Sequence, residues 1–303
     1  MGFEKYRGGQ TLLCRVVATE PGGYAVSILE DNLPGFVPTE ATLEVGQEIL
    51  AQFVCTHKKR AVLFVRTYGQ YQGKAAAQFR RITDAIPLPT DDQAVRLVSA
   101  DDQDLESLLR QLQKDRYTGC IRVSNGSVKS RAAALLYKGR VVGCVYANSK
   151  REALKSTEPS LRLMLKDLKK PGSHVMLYSL PEEMTICISA LFLGYPVKRT
   201  DKLDAKQYLG YICDWLRKKG QTACLVLVTP SDEALLLGFV YRGNQFGAFD
   251  VQDQQRYKKI EVLQEMLEKE PGAQLTASIL PPELTSSPAY GFTLSSAKQS
   301  SDQ

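Results

Sequence analysis

Histidine is scarce in this sequence of 303 residues, which contains only His57 and His174. Most histidine-dependent metal sites and most Ser/His/Asp or Cys/His catalytic sites need at least one imidazole, so this scarcity argues against both kinds of site. Long apolar runs are missing as well. The longest charge-free apolar stretch, residues 185–197, is shorter than the ~20 residues that a membrane helix requires, and it predicts a buried element. Residues 1–7 lack the apolar run of a signal peptide, so we expect no export.

The cysteine pattern excludes the usual disulfide and zinc arrangements. The seven cysteines are odd in number and include no Cys-x-x-Cys pair, which is typical of reduced, mostly buried thiols in the cytoplasm. Catalytic motifs are also absent: the sequence has no Gly-x-x-x-x-Gly-Lys-Ser/Thr loop, no Gly-x-Gly-x-x-Gly after a strand, no His-Glu-x-x-His and no Gly-x-Ser-x-Gly. We therefore expect a cytoplasmic protein with no enzymatic activity, no cofactor, no metal and no membrane segment.

The composition that remains is that of a globular chain. Hydrophobic residues make up 44% and charged residues 24% of the sequence, which excludes a fully disordered, collagenous or integral-membrane protein. The 39 lysines and arginines against 33 aspartates and glutamates give a net charge of +6, which permits nucleic-acid contact without arguing for it. The length suffices for two to three domains of ~100–200 residues each.

The first seventy residues have the pattern of an all-β domain. Turn signals such as Pro21-Gly22-Gly23 and Asp31-Asn32 separate short β-rich runs. Five short strands in such a span predict a small closed barrel. The predicted strands are residues 12–18, 24–29, 35–38, 48–56 and 61–67.

Four segments of this domain together resemble the S1-motif OB-fold, especially the repeats of the ribosomal protein that gave the motif its name. They are residues 22–26 (Gly-Gly-Tyr-Ala-Val), 34–38 (Pro-Gly-Phe-Val-Pro), 45–49 (Val-Gly-Gln-Glu-Ile) and 61–65 (Ala-Val-Leu-Phe-Val), the last of which follows a basic turn. The resemblance spans about residues 9–68. It implies a five-stranded OB barrel that binds single-stranded RNA.

An RNA-binding barrel of this kind presents aromatic rings for base stacking beside cationic side chains that meet phosphates. By position in the motif, the stacking candidates are Tyr24 and Phe36. The cationic candidates lie on the first strand, in the basic turn and on the last strand: Arg15, Lys58, Lys59, Arg60 and Arg66.

The charge balance leaves a second interpretation open. Residues 1–70 hold seven Lys and Arg residues and seven Asp and Glu residues, whereas strong nonspecific phosphate binding normally needs a basic face. Pro21 also stands where the ribosomal repeats commonly carry Lys. The alternative is a protein-interaction scaffold in bacterial signalling whose barrel does not bind RNA.

The segment after the barrel adds positive charge. Lys74, Arg80 and Arg81 raise the charge balance of residues 1–82 to 10 − 7 = +3. If RNA binds, the bound region therefore also has the option of extending from the barrel into this segment.

The rest of the chain contains an internal repeat. Residues 112–143 align without a gap on residues 216–247 at an offset of 104, and residues 163–185 align on residues 263–285 at an offset of 100. Each copy predicts the order α-β-β-β-α-β, with a tight hairpin turn at a Tyr-x-Gly sequence. The predicted fold class is therefore mixed, with an all-β five-stranded OB barrel followed by two repeated α+β modules.

The repeated pattern resembles the PATAN-like family of bacterial signalling-associated domains. The residues that carry the resemblance are Thr118, Gly119, Tyr137, Gly139, Gly143 and Ala147. It implies interaction or regulatory modules that bind a protein partner, and it implies no catalytic residues. The predicted organisation is an S1-like domain in residues 1–70, a linker in 71–100, repeat modules in 101–200 and 201–285, and a disordered tail in 286–303.

Overall fold

In the computed structural model, the residues described are 2–8, 10–39, 42–65, 95–99, 105–148, 151–154, 157–197, 203–229, 234–251, 253, 255–270, 272–285 and 290–294. They belong to two compact units. The first unit comprises Met1–Tyr71 with Pro281–Phe292, and the second comprises Gln72–Leu280 with Thr293–Gln303. A closed five-stranded barrel and further sheets with helices make the fold a mixed one, as the sequence predicts.

The barrel is built from five strands in the order β1-β2-β3-β5-β4, and β4 pairs with β1 to close it. The pairing of β3 with β5 is parallel, and the other four pairings are antiparallel. The closed barrel predicted from the sequence is therefore confirmed, and its architecture is consistent with an OB-fold. The strands are β1 (Thr11–Glu20), β2 (Gly23–Ile28), β3 (Leu33–Pro38), β4 (Glu48–His57) and β5 (Arg60–Phe64).

Alternation along the strands separates the barrel core from its surface. On β1 the side chains of Leu12, Cys14 and Val16 are buried in the barrel core, while the residues between them face outward. A 3₁₀ turn, Phe3–Lys5, precedes β1 and leads into the buried Tyr6, whose ring packs 5.7 Å from the ring of Phe53. The N-terminal segment is thereby anchored on the barrel core.

A polar cluster ties this segment to the turn between β2 and β3. Lys5 Nζ lies 3.0 Å from a carboxylate oxygen of Glu30 and 2.6 Å from one of Asp31, and the hydroxyl of Tyr6 donates a hydrogen bond to Asp31. The hydrogen bonds from Lys5 and Tyr6 hold the pKa of Asp31 below its usual value. Burial and the bond to Asp31 raise the pKa of Tyr6 to about 12.

The second unit begins with a sheet in the order β10-β9-β8-β7-β11-β6. Strand β6 lies in the segment that the sequence predicts to be a linker, where it pairs with β11 over residues 95–99 and 174–178; the linker residues 71–94 and 100 lie outside the described part of the chain. The elements are β6 (Val95–Ser99), α1 (Leu105–Lys114), β7 (Gly119–Asn125), β8 (Ser130–Tyr137), β9 (Arg140–Asn148), β10 (Arg151–Leu154), α2 (Thr157–Leu168), β11 (Ser173–Ser179) and α3 (Glu182–Leu193).

A further sheet of this unit has the order β12-β17-β13-β14-β15-β16. The strands of this sheet and the helices between them are β12 (Tyr195–Pro196), α4 (Ala205–Lys219), β13 (Thr222–Val228), β14 (Ala234–Tyr241), β15 (Asn244–Asp250), β16 (Arg256–Tyr257), α5 (Val262–Lys269) and β17 (Gln274–Leu280). Two short elements follow, α6 (Pro282–Thr285) and β18 (Phe292–Thr293). Helix α6 belongs to the first unit, in which it contacts β4.

Two segments relate to earlier predictions. Residues 184–193 of α3 are all buried, which confirms most of the buried element predicted at residues 185–197; Pro196 at its end is exposed. Within the predicted tail, Tyr290, Phe292 and Leu294 are buried, while residues 286–289 and 295–303 lie outside the described part. Among the helices of the described residues, none combines the length and apolar character needed to cross a membrane.

Two hairpin turns of the second unit share one geometry. Between β8 and β9, Lys138 and Gly139 have φ angles of +49° and +76°, and the Lys138 N–H donates to Thr118 Oγ1 at 3.0 Å. A Cβ on Gly139 would lie 2.7 Å from the carbonyl oxygen of Gln113 in α1, so only glycine fits there. Between β14 and β15 the corresponding residues are Arg242 (+50°), Gly243 (+80°) and Thr222, whose Oγ1 accepts at 3.1 Å.

All seven cysteines are buried and free, which confirms the prediction of buried thiols. Burial raises the pKa of Cys14 to about 11 and the pKa of Cys120 to about 12. A buried thiol with a raised pKa holds little thiolate near neutral pH and is a poor nucleophile.

Candidate nucleic-acid interface

The outer surface of the barrel brings together Phe36 of β3 and Arg60 of β5. The parallel pairing of these strands aligns Phe36 with Val62, two residues beyond Arg60. The guanidinium carbon of Arg60 lies 5.5 Å from the centre of the half-buried Phe36 ring, a cation–π distance. The ring and the guanidinium plane are the two kinds of surface on which a nucleic-acid base stacks.

Glu20, at the end of β1, holds Arg60 in place. One terminal nitrogen of Arg60, Nη1, donates to both carboxylate oxygens of Glu20, at 2.8 and 2.9 Å. Much of the positive charge of Arg60 is therefore balanced within the barrel. The arrangement suits Arg60 to stacking better than to neutralising a phosphate.

Lys58 and Lys59 form the two-residue turn between β4 and β5, which the pairing of His57 with Arg60 closes. Both lysines are in the left-handed region, with φ angles of +47° and +62°. This conformation costs an L-residue about 1–2 kcal/mol and is typical of Asn-Gly in such turns. Both side chains are exposed, and neither forms an ion pair with another described residue. The turn therefore presents two available cations directly before Arg60.

Tyr24 does not share a face with Phe36. Across the β2–β3 ladder Tyr24 pairs with the buried Val37, whereas Phe36 pairs with Ala25, so the two rings point to opposite sides of the sheet. The Tyr24 ring packs against the barrel core, and its hydroxyl accepts a hydrogen bond from the Leu43 N–H at 3.1 Å. These contacts give Tyr24 a structural role in the barrel.

Of the other two predicted cations, Arg15 and Arg66, the structure describes only the first, which does not belong to this contact. Arg15 projects from the outer face of β1, where its Nη2 pairs with Glu48 Oε1 at 2.8 Å across the β1–β4 ladder. Arg66 lies outside the described residues. We use the name Phe36 cluster for the contacting pair Phe36 and Arg60 together with the two turn lysines that directly precede Arg60 in the chain, Lys58 and Lys59.

Sequence reasoning missed Glu20 as a member of this surface, because no local pattern links it to Arg60, 40 residues away. The inward orientation of the Tyr24 side chain, by contrast, was predictable from the sequence. Tyr24, Val26 and Ile28 alternate along β2, and such a run predicts one inward-facing set.

No protein-family model matches this sequence, and no curated protein does. Among solved structures, a multidomain protein with nucleic acid binding domains from Streptococcus pneumoniae TIGR4 aligns with 36% of this chain and 38% of its own, at 13% identity and a TM-score of 0.21. A Helicobacter pylori β clamp in complex with 5-chloroisatin aligns with 89% of this chain and 91% of its own, at 7% identity and a TM-score of 0.15. Likenesses at these scores carry no conclusion about the fold or function of this chain.

Proposed function

We propose that this chain is a non-enzymatic, cytoplasmic RNA-binding adaptor. Its S1-like barrel contacts single-stranded RNA, and its α+β part binds a protein partner. The observation that carries the RNA part is the Phe36 cluster, in which a guanidinium lies 5.5 Å from the centre of an aromatic ring and two exposed lysines form the turn directly before that arginine. Stacking platforms flanked by cations bind single strands with little sequence preference.

The division of labour within the Phe36 cluster follows from its contacts. Phe36 and Arg60 supply stacking surfaces, because Glu20 already balances the charge of Arg60. Lys58 and Lys59 supply the phosphate contacts, because no described residue pairs with them. Two phosphate contacts give weak binding that is sensitive to salt.

The adaptor role rests on the proposal that the second unit contains two copies of one PATAN-like module. The two sheets support it, since β10-β9-β8-β7-β11-β6 and β16-β15-β14-β13-β17-β12 have the same strand succession. The paired hairpin turns support it as well, since Thr118, Lys138 and Gly139 recur as residues 222, 242 and 243 with the same backbone conformation and hydrogen bond. These shared features are structural, which fits interaction modules without a catalytic centre.

Titration of a fluorescein-labelled, single-stranded oligouridylate with the full chain, followed by fluorescence anisotropy at low salt, tests the RNA part. Phe36→Ala removes a stacking surface worth about 1–3 kcal/mol, so its affinity should fall about 5- to 150-fold. Tyr24→Phe is the matched control, because it removes only a hydroxyl bonded to Leu43. Its affinity should equal that of the wild type.

The rival function is a protein-interaction scaffold whose barrel does not bind RNA. The carboxylate partners of Arg15 and Arg60 favour it, because they reduce the positive field of the barrel. No anisotropy change with the wild-type chain at low salt would establish this rival and end the RNA proposal. Equal affinities for Phe36→Ala and the wild type would remove the Phe36 cluster as the site.

A further inference from the structure

The β1–β4 face of the barrel carries exposed apolar side chains. On β1, Leu13 and Val17 are 45% and 54% exposed, and on and before β4, Leu50 and Val45 are 63% and 66% exposed. Two further large apolar side chains among the described residues are exposed, Tyr211 at 51% and Phe246 at 37%, and both belong to the second unit. An exposed apolar patch gathered on one face of a soluble domain marks an interaction surface.

The register of the two strands sets two rows of these side chains, and backbone hydrogen bonds place a third row beside them. Leu13 lies directly opposite Leu50, and Arg15 lies directly opposite Glu48. The backbone of Val16 exchanges hydrogen bonds with Gly46 and Gln47 at 2.8 and 2.9 Å, which brings the turn that contains Val45 to the Val17 end of the strand. Val17 is the extra residue of a β-bulge, since the β1–β2 register shifts between Val16 and Ala18.

The middle row is charged, and the outer rows are apolar. Arg15 and Glu48 form an ion pair of 2.8 Å with both side chains about half exposed. Leu13 and Val17 are four residues apart on β1, or about 13 Å. Along the strands, the β1–β4 face therefore has an apolar row, a charged row and a second apolar row. Within the charged row, β1 carries the positive charge and β4 the negative one.

We propose that the β1–β4 face is the self-association surface of this chain, and that a second copy docks on it around a two-fold axis. An axis parallel to the strands and midway between β1 and β4 carries each strand of one copy onto the other strand of its partner. Leu13 then meets Leu50 of the second copy, Val17 meets Val45, and Arg15 meets Glu48. This is the self-complementary contact that a two-fold interface requires.

The charges of Arg15 and Glu48 favour a second copy of the chain as the partner, and they favour this direction of the two-fold axis. With the axis along the strands, each Arg15 faces one Glu48 within its own chain and one across the interface, so the four charges alternate. An axis across the strands would instead set Arg15 against Arg15 and Glu48 against Glu48. Four apolar side chains and one ion pair are far fewer than the roughly 20–30 residues per side of a standard interface, so the dimer should be weak and concentration-dependent.

Analytical ultracentrifugation of the full chain, freed of nucleic acid and run over a concentration series, tests the proposal. The wild type should pass reversibly from 33.6 kDa to twice that mass as concentration rises. Arg15→Glu and Glu48→Arg should each remain monomeric, because each places four like charges at the centre of the interface. Lys206→Glu is the matched control: it reverses an exposed charge paired with Glu268 in the second unit and should dimerise as the wild type does.

The decisive sample is an equimolar mixture of Arg15→Glu and Glu48→Arg. Across the proposed axis, the introduced glutamate of one variant would face the introduced arginine of the other, so the mixture should form a heterodimer although neither variant self-associates. An ion pair that acts only within one chain cannot produce this rescue. A wild type that stays monomeric at every concentration, or a mixture that stays monomeric, would overturn the proposal. The outcome does not depend on RNA binding, which the Phe36→Ala titration measures separately.

Discussion

Replacing the two lysines of the barrel turn by Asn-Gly removes two positive charges without disturbing the fold, so it isolates the contribution of charge to RNA binding. The change is Lys58→Asn/Lys59→Gly, and it affects residues whose φ angles of +47° and +62° are those that an Asn-Gly hairpin turn prefers. We expect the melting temperature to stay level or rise, because a glycine in the left-handed region relieves about 1 kcal/mol of backbone strain. The variant should therefore be folded, and any lost RNA affinity should come from the missing cations.

The size of the loss follows from counterion release. Each phosphate contact contributes about 0.7 to the slope of log affinity against log salt for a single strand, so removing two contacts should lower the slope by about 1.4. Between about 50 and 200 mM salt, the wild type should then lose about sevenfold more affinity than the variant does. Fluorescence anisotropy with a labelled oligouridylate at four or more salt concentrations measures both slopes.

A matched control removes two exposed lysines elsewhere. Lys114→Asn/Lys129→Gly makes the same change in net charge in the second unit, and Lys129 is also a turn residue with positive φ, at +48°. Its salt slope should equal that of the wild type. The reasoning is refuted if the Lys58→Asn/Lys59→Gly variant keeps the wild-type slope, or if the control loses as much.

Three other predictions concern stability and reactivity. In a denaturant titration, Gly139→Ala should lower the free energy of unfolding by about 2–3 kcal/mol, because residue 139 has a positive φ and the new Cβ would clash with the backbone of α1. Gly172→Ala is the control, because Gly172 also has a positive φ (+74°) but a Cβ there would meet no described atom within 4 Å. It should lower the free energy of unfolding by only about 1 kcal/mol. Hydrogen bonds from Lys5 and Tyr6 lower the pKa of Asp31, so its carboxylate stabilises the fold at neutral pH, and this contribution disappears as the pH falls through the folded-state pKa. Asp31→Asn should therefore flatten the acid limb of a plot of melting temperature against pH, and an unchanged limb would contradict the linkage. A chromogenic thiol reagent should find no fast-reacting cysteine in the folded chain and all seven after unfolding, and a rapid native reaction would show that one is accessible.

The sequence predicts the barrel strands well because its signals are local. Alternating apolar residues and turn signals such as Pro21-Gly22-Gly23 locate five strands that the structure finds at nearly the same bounds. The capping box formed by Asp204 and Gln207 likewise marks the start of α4 at the residue after Asp204. The presence of these strands and of this helix is thus indicated by sequence patterns only a few residues long.

The candidate site was less predictable because it depends on long-range pairing. Arg60 meets Glu20 and Phe36 only after β5 inserts beside β3, and no local pattern encodes that parallel pairing. Strand β6 was predicted to be linker for the same reason, since its place beside β11 is set by residues more than seventy positions away. The two lysines at 58 and 59 were found because they are adjacent in the chain.

The return of residues 281–285 to the barrel unit has a consequence for biosynthesis. Helix α6 contacts β4, and His57 Nδ1 lies 3.8 Å from Glu283 Oε1, so this unit is assembled from two pieces of chain separated by the 209 residues 72–280. At about 5–20 residues per second, a ribosome needs roughly 10–40 s to synthesise that interval. The barrel strands are therefore synthesised tens of seconds before α6, and throughout this interval the surface of β4 that α6 contacts is uncovered.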